Sequence, residues 1–546
     1  MIRRLSPCLA GLIALALLAA PGVALAQFEM GPITALSPSD RLSYTSAFDS
    51  LRRGDLDAAR SSAREAGDRV LLGRVEFERL FHADHVATFQ ELSDWLDAYA
   101  DLPEAPRAYD LAMRRRPDGA PEPRRPRGVE SVAGAEGGKA ARIAFNADDL
   151  ASAYETGVAI GDWWTAGLSA WRLERWEESF LAFERVAENP VEDAWVRAGA
   201  AVWAARAAER AGRPHLVQPF LRLAARWPAT FYGQIAHRRL GIEPVIENFG
   251  AQAYVRQSIP TPEFDGLPEG LSTEALRTFV AEDPQARRTV ALLEVGRVAD
   301  AREEFARGYL GARDPGASRL WRGLGRALSA QLTPRNTEAE RIDAARYPMP
   351  DLQPEGGFTI ERSLVFAIAR KETGFNARVV SSAGAYGLMQ VMPATAAEMD
   401  GDRGFLSNPR RLFEAPVNLR LGQTYVRRML ALGPFEGDLL RVVPSYNAGP
   451  GPMLGAIRKL GPDADPLLLI ETIDVPQARD YVEKVVAAYW VYQRLQGLPL
   501  NTLDAVASGA DAVPLSLDYV PPPPPPPAPV EGQPAPAEET PPSLTF

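Results

Sequence analysis

The sequence predicts an almost all-α protein with two folded units in series: a long array of helical hairpins and a smaller, mainly helical C-terminal domain. Three observations predict it. From about Ser37 to Leu332, apolar residues recur at three- and four-residue spacing among alanine, leucine, arginine and glutamate, the pattern of amphipathic helices. Within that stretch, small and aromatic positions alternate through paired segments. A break with three prolines, Tyr347 to Gly357, then leads into a segment punctuated by glycines.

The paired segments are clearest in the middle of the array. Gly167 to Leu173 is followed by Trp176 and by Ser179 to Phe183. Trp195, Ala198, Val202 and Trp203 are followed by Phe220, Leu223, Trp227 and Phe231-Tyr232-Gly233. This texture resembles tetratricopeptide-type hairpins, which bury their apolar faces only by stacking into a superhelix. The superhelical unit is expected over residues 27–346, with the polar Pro/Gly-rich gap of about 114–139 as a mobile surface loop. The C-terminal domain is expected over 347–500. A tail over 501–546, with seven consecutive prolines from Pro521 to Pro527, has too little apolar material for a core.

The N-terminus reads as a secretory leader. Arg3 and Arg4 precede a compact apolar run, Leu9 to Ala20, and Ala24-Leu25-Ala26 supplies a small-x-small cleavage pattern, so residues 1–26 are expected to be removed. The run is shorter than the ~20 residues that span a bilayer, and no later stretch is long and apolar enough to do so. Cys8, inside the leader, is the only cysteine, so the mature chain has no disulfide and no cysteine-based zinc. His82 and His85 lack a second ligand cluster, and Gly323 to Leu328 lacks the third glycine of a dinucleotide loop. No metal or cofactor is expected. A net charge of −10 argues against a nucleic-acid partner.

The chemistry concentrates after the proline break. Thr359 to Gly374 reads as a helix with Thr359 as its N-cap, Glu361 at the positive end of its dipole and Gly374 at its end. Leu364 and Ile368 form an apolar stripe whose next member is Glu372. A carboxyl group on a buried stripe, near the negative end of a helix, is disfavoured as an anion, which suits a general acid. On the helix alone, pairing with Lys371 or Arg370 competes with catalysis, although those neighbours face other directions. Further on, Ser381 to Thr395 contains Gly384, Gly387 and Pro393, and Ser445 to Gly451 is expected as one turn presenting a ring and an amide.

These motifs resemble the soluble lytic murein transglycosylases, whose catalytic domain is similar to goose-type lysozyme. Glu372-Thr373 matches the family's Glu-Ser motif, Gly387 to Gln390 its Gly-Leu-Met-Gln motif, and Ser445 to Gly449 its Ala-Tyr-Asn-Ala-Gly motif. Glu471-Thr472-Ile473 and Arg479 to Val482 match the late motif. Thr373 and Ser445 depart from the usual serine and alanine. The resemblance implies a lysozyme-like, mainly α domain behind a superhelix, with Glu372 as the single acid and base in cleavage of peptidoglycan glycan strands. It implies substrate contacts from Ser381, Gln390, Met392, Tyr425, Tyr446 and Asn447, and an orienting role for Glu471 in the active site. Ser381 otherwise reads as a turn serine, Tyr425 as core, Met392 as core filler and Glu471 as a surface carboxylate. Tyr481 reads equally as groove or core. Leader and resemblance together imply a periplasmic protein, with the superhelix or the proline-rich tail open to protein partners. The rival readings are a hydrolytic muramidase and a glycan-binding scaffold.

Overall fold

The computed structural model describes residues 33–128, 138–249 and 266–518, and these are almost entirely helical. The only strands among them are a two-residue parallel pair, Ile246–Glu247 beside Ile342–Asp343. The expected leader and the proline run Pro521–Pro527 lie outside the described residues.

The hairpins form as the periodicity predicts. Trp163–Arg172 packs on Trp176–Glu188, and Ala194–Arg210 on Pro214–Ala224. Gly167 makes the first contact close: a Cβ there would lie 2.9 Å from the Phe183 ring. In the helix Ala194–Arg210, Ala198, Ala201, Ala205 and Ala208 share one face and Ala200, Ala204 and Ala207 another, and all are buried. Methyl-sized side chains thus let neighbours pack on two sides. Trp203 fills the centre, edge-on to Trp171 at 5.1 Å and stacked on Phe183 at 5.7 Å. Truncating such a buried indole costs on the order of 3–5 kcal/mol.

The two units share one hydrophobic core rather than meeting through a bare linker. The helix Phe231–Arg239 lies on the long helix Pro476–Leu495, with Phe231 stacked on Trp490 at 5.2 Å. Gln234 Nε2 donates to the Ala487 carbonyl at 2.9 Å. The proline break also packs down: Tyr347 is buried beneath the Arg370 guanidinium, and the Pro348 carbonyl accepts from the Tyr492 hydroxyl.

Three local expectations need correction. The folded part runs on to residue 518, because Asn501–Ser508 is a helix and Leu515–Leu517 a 3-10 turn. Leu503, Val506, Val513 and Leu515 are buried there, and Asp518 accepts from the Tyr489 hydroxyl at 2.8 Å and the Thr502 amide at 3.1 Å. Residues 116–128, read as part of a mobile loop, are tied to the preceding helices. Arg127 N–H donates to the Ala100 carbonyl at 2.8 Å, and the Tyr109 hydroxyl bonds Glu122. Finally, the Glu372 helix is Arg362–Thr373, with Glu361 rather than Thr359 at its N-cap. The Thr359 amide is taken by Gln423 Oε1.

Glu361 itself makes no cap bond, and both its oxygens are buried without a hydrogen-bond partner beyond its own amide. Burial, with help from the Asp518 charge, pushes its carboxyl up to about 7. The unfolded chain therefore loses this proton first. Stability contributed by the neutral acid is lost as pH climbs from the ordinary carboxylate range through about 7. Glu361→Gln is expected to be more stable than wild type above neutrality, by about 3 kcal/mol at most, and indistinguishable near pH 4. Urea unfolding of both chains at the two pH values checks this.

Candidate active site

The Glu372 helix buries Leu364 and Ile368, and their stripe brings Glu372 to the edge of the core, half-buried in its last turn. Neither basic neighbour pairs with it. Lys371 bridges to Asp480 at 3.0 Å, while Arg370 lies over the Tyr347 ring and donates to the Arg346 carbonyl. The direct partner is Tyr481, whose hydroxyl donates to Glu372 Oε1 at 2.7 Å. Burial pushes the Glu372 carboxyl above its ordinary range, against the opposing pull of the Tyr481 hydroxyl and then of the Lys371 charge.

Thr373 fixes this helix end to the glycine-rich loop: its hydroxyl donates to the Leu388 carbonyl at 2.9 Å. A threonine in place of serine therefore still provides the hydroxyl this junction uses. The loop is closed by reciprocal backbone bonds between Tyr386 and Val391, each 3.0 Å, and by Gly387 N–H to the Val379 carbonyl. Buried Asn418 organises it from behind. It accepts from Met389 N–H at 2.8 Å and donates to the carbonyls of Tyr386 and Leu412, each at 2.9 Å. Gln390 sits in left-handed backbone, φ +49°, and its amide donates to the Gly387 carbonyl at 3.0 Å.

The expected Tyr446-Asn447 turn is the last turn of a helix. Leu439–Ala448 contains Pro444 and ends at Gly449, and the next helix starts at Pro450. The Tyr446 hydroxyl donates to the Met389 carbonyl at 2.8 Å, and its ring meets that of Tyr425 edge-on at 5.5 Å. Burial and then the Glu372 charge raise the Tyr446 phenol well above its ordinary value. The structure thus gathers Glu372, Tyr481, Tyr446, Tyr425 and the Gly387–Gln390 loop. Asn447 is half-buried one residue on, and Met392 is 39% exposed at the start of the helix Pro393–Asp400. Met389 is instead core, against Gly422.

Two residues sit differently from expectation. The Ser381 hydroxyl accepts from Ala385 N–H at 3.0 Å, a bond that the turn-serine alternative accounts for. Glu471 is buried, but its carboxylate accepts from the Tyr232 hydroxyl at 2.7 Å, at the seam with the superhelix. Asn418 and the Tyr481 contact were not read from sequence. Among the described residues no group of three or more His, Cys, Asp and Glu is placed to hold a metal ion. No helix among them is long and apolar enough to cross a membrane.

These features define a helical domain in which a half-buried carboxyl group is held by a phenol and backed by a glycine-rich loop. Residues 352–465 match the family model described as the Transglycosylase SLT domain. The chain is 33% identical over 141 residues to the soluble lytic murein transglycosylase of Escherichia coli (strain K12), covering 25% of this chain and 21% of that protein. It is 31% identical over 159 residues to the membrane-bound lytic murein transglycosylase C of Actinobacillus pleuropneumoniae serotype 5b (strain L20), covering 26% of this chain and 43% of that one. The chain thus spans less than half the length of these curated relatives. Among solved structures it is similar to an inactive mutant of the lytic transglycosylase Slt from Pseudomonas aeruginosa. That match has 18% identity and a TM-score of 0.38, and covers 84% of this chain and 74% of that one.

Proposed function

We propose that the chain is a lytic transglycosylase that cleaves the β-1,4 bond between N-acetylmuramic acid and N-acetylglucosamine in peptidoglycan, with Glu372 as its one acid and base. The observation that carries this reading is the half-buried Glu372 carboxyl, held by the Tyr481 hydroxyl and pushed above its ordinary range by burial. Glycosidases that use water or an enzyme nucleophile ordinarily pair two carboxyl groups. A single acid suffices where the substrate supplies its own nucleophile.

Glu372 gives its proton to the glycosidic oxygen, the bond from C1 to that oxygen breaks, and the N-acetylglucosamine side leaves as an alcohol. The O6 hydroxyl of the same muramoyl residue attacks C1 and passes its proton to the Glu372 carboxylate. The acid is restored and a 1,6-anhydro end is formed. Intramolecular attack has an effective molarity on the order of 10⁵–10⁸ M, enough to outrun water in a pocket that holds the sugar correctly. Tyr446, Asn447, Gln390, Tyr425 and Met392 would bind the strand, with Ser381 at the rim of the loop. The leader would deliver the chain to the periplasm, where the superhelix or tail would meet protein partners.

Digestion of purified peptidoglycan by the full chain, followed by mass spectrometry, tests the proposal. The expected muropeptides are lighter by one water than those a muramidase releases. Products with reducing ends would make the enzyme a hydrolase, and binding without release would make it a scaffold. Either result overturns the reading.

A further inference from the structure

The seam between the two units converges on one short stretch of backbone. The helix Pro466–Thr472 ends there, and the helix carrying Tyr481 starts at Pro476 without a side-chain cap of its own. The superhelix reaches this stretch at several points. The Tyr232 hydroxyl donates to Glu471 at 2.7 Å and accepts from Trp203 Nε1 at 3.2 Å, so the phenol is held from both sides. Arg142, from the helix Lys139–Asn146, donates to the carbonyls of Glu471 and Ile473. The Ile473 carbonyl is shared with Arg479, which reaches it at 2.6 Å from a position two residues before Tyr481. Arg206 pairs with Asp465, the N-cap of the helix ending at Thr472, and the Lys484 ammonium lies 3.1 Å from the centre of the Trp195 ring.

We infer that Tyr232 and Arg142 are positioning residues, through which the superhelix holds the 471–476 stretch and so keeps the Tyr481 hydroxyl on Glu372. The inference rests on Glu372 being the acid of the proposed reaction. Its physical basis is that Glu471 is buried, so removing the Tyr232 hydroxyl takes one donor from a desolvated carboxylate, and the stretch shifts in response. Tyr481 bonds Glu372 directly and rides on the helix that starts at this seam, whereas Lys371 and Tyr446, coupled to Glu372 through charge, lie on other helices.

The test uses the full chain carrying carbon-13-labelled glutamate carboxyls. The Glu372 signal is assigned with Glu372→Gln and titrated by NMR, alongside kinetics on a defined glycan strand. Tyr481→Phe sets the reference: the Glu372 titration moves to higher pH and kcat falls about tenfold or more. Tyr232→Phe and Arg142→Ala are expected to move the titration in the same direction, with kcat down about three- to tenfold and KM within about twofold. A role in stability alone would lower Tm and leave the titration where it is. That result in both variants overturns the inference, and Arg142→Ala carries the test if Tyr232→Phe does not fold. A wild-type chain that releases no glycan would overturn the proposed function instead, while the titration still decides the positioning role.

Discussion

Glu372→Gln is expected to reduce muropeptide release roughly 10²–10⁴-fold while leaving the fold intact, because in the proposed reaction one group performs both proton transfers. Glutamine matches glutamate in shape, and its carbonyl oxygen still accepts from the Tyr481 hydroxyl. What disappears is the proton to be donated. Stability should move the other way. Burial raises the Glu372 carboxyl, so as pH rises the unfolded chain ionises first and the folded wild type bears the cost of a desolvated anion. The glutamine variant escapes that cost, and its advantage grows with pH above the ordinary carboxylate range. Release assays on purified peptidoglycan, with thermal melts at acid and alkaline pH, check both halves. A variant within tenfold of wild type would remove Glu372 from the chemistry.

The catalytic reading also fixes the sign of the pH dependence. The donor form is the protonated one, so activity is lost as pH rises through the Glu372 titration, and a raised titration keeps the acid form to higher pH. Tyr481 works against this by stabilising the carboxylate. It is the same carboxylate that must later take the O6 proton. The hydrogen bond therefore balances the two halves of the reaction rather than favouring either.

The placement of Glu372 at the edge of the core was legible in sequence because its signal is local: two apolar residues at four-residue spacing and a carboxyl at the next step. The helical hairpins were legible for the same reason. Tyr481 was not, since it lies 109 residues from its partner on a helix buried along most of its length. There an aromatic side chain fits core and site equally well. Tyr232 and Glu471 are 239 residues apart and belong to different units, so neither motif nor spacing links them. The boundary expected at residue 500 moves because Leu503, Val506, Val513 and Leu515 are too sparse to announce a helix, yet all four are buried, with Asn501–Ser508 packed on the helix Phe231–Arg239. The turn expected at Ser445–Gly451 is helical up to Ala448. The helix tolerates Pro444 and stops only at Gly449.

The loop behind the acid makes the second large prediction. Gly384 and Gly387 have similar left-handed backbones, φ +83° and +75°, in very different surroundings. A Cβ on Gly384 meets nothing within 4 Å, whereas one on Gly387 would lie 2.2 Å from the Leu412 carbonyl oxygen and 2.4 Å from Asn418 Nδ2. Neither neighbour can yield, because Leu412 offers backbone and Asn418 is buried and pinned by three hydrogen bonds to the loop and its flank. Gly384→Ala should therefore cost about 1–2 kcal/mol of stability, the strain of a left-handed residue alone. Gly387→Ala should cost about 3–5 kcal/mol, since overpacking and disrupted buried hydrogen bonds add to that strain. The loop holds the Leu388 carbonyl under Thr373 and the Met389 carbonyl under Tyr446, so displacing it also moves the frame around Glu372. Release by the folded Gly387→Ala fraction is expected to fall about 10²-fold, as for a displacement near 1 Å in a positioned site. Urea unfolding of the two variants side by side decides the matter: equal losses would mean that backbone conformation alone, not crowding by Leu412 and Asn418, makes Gly387 necessary.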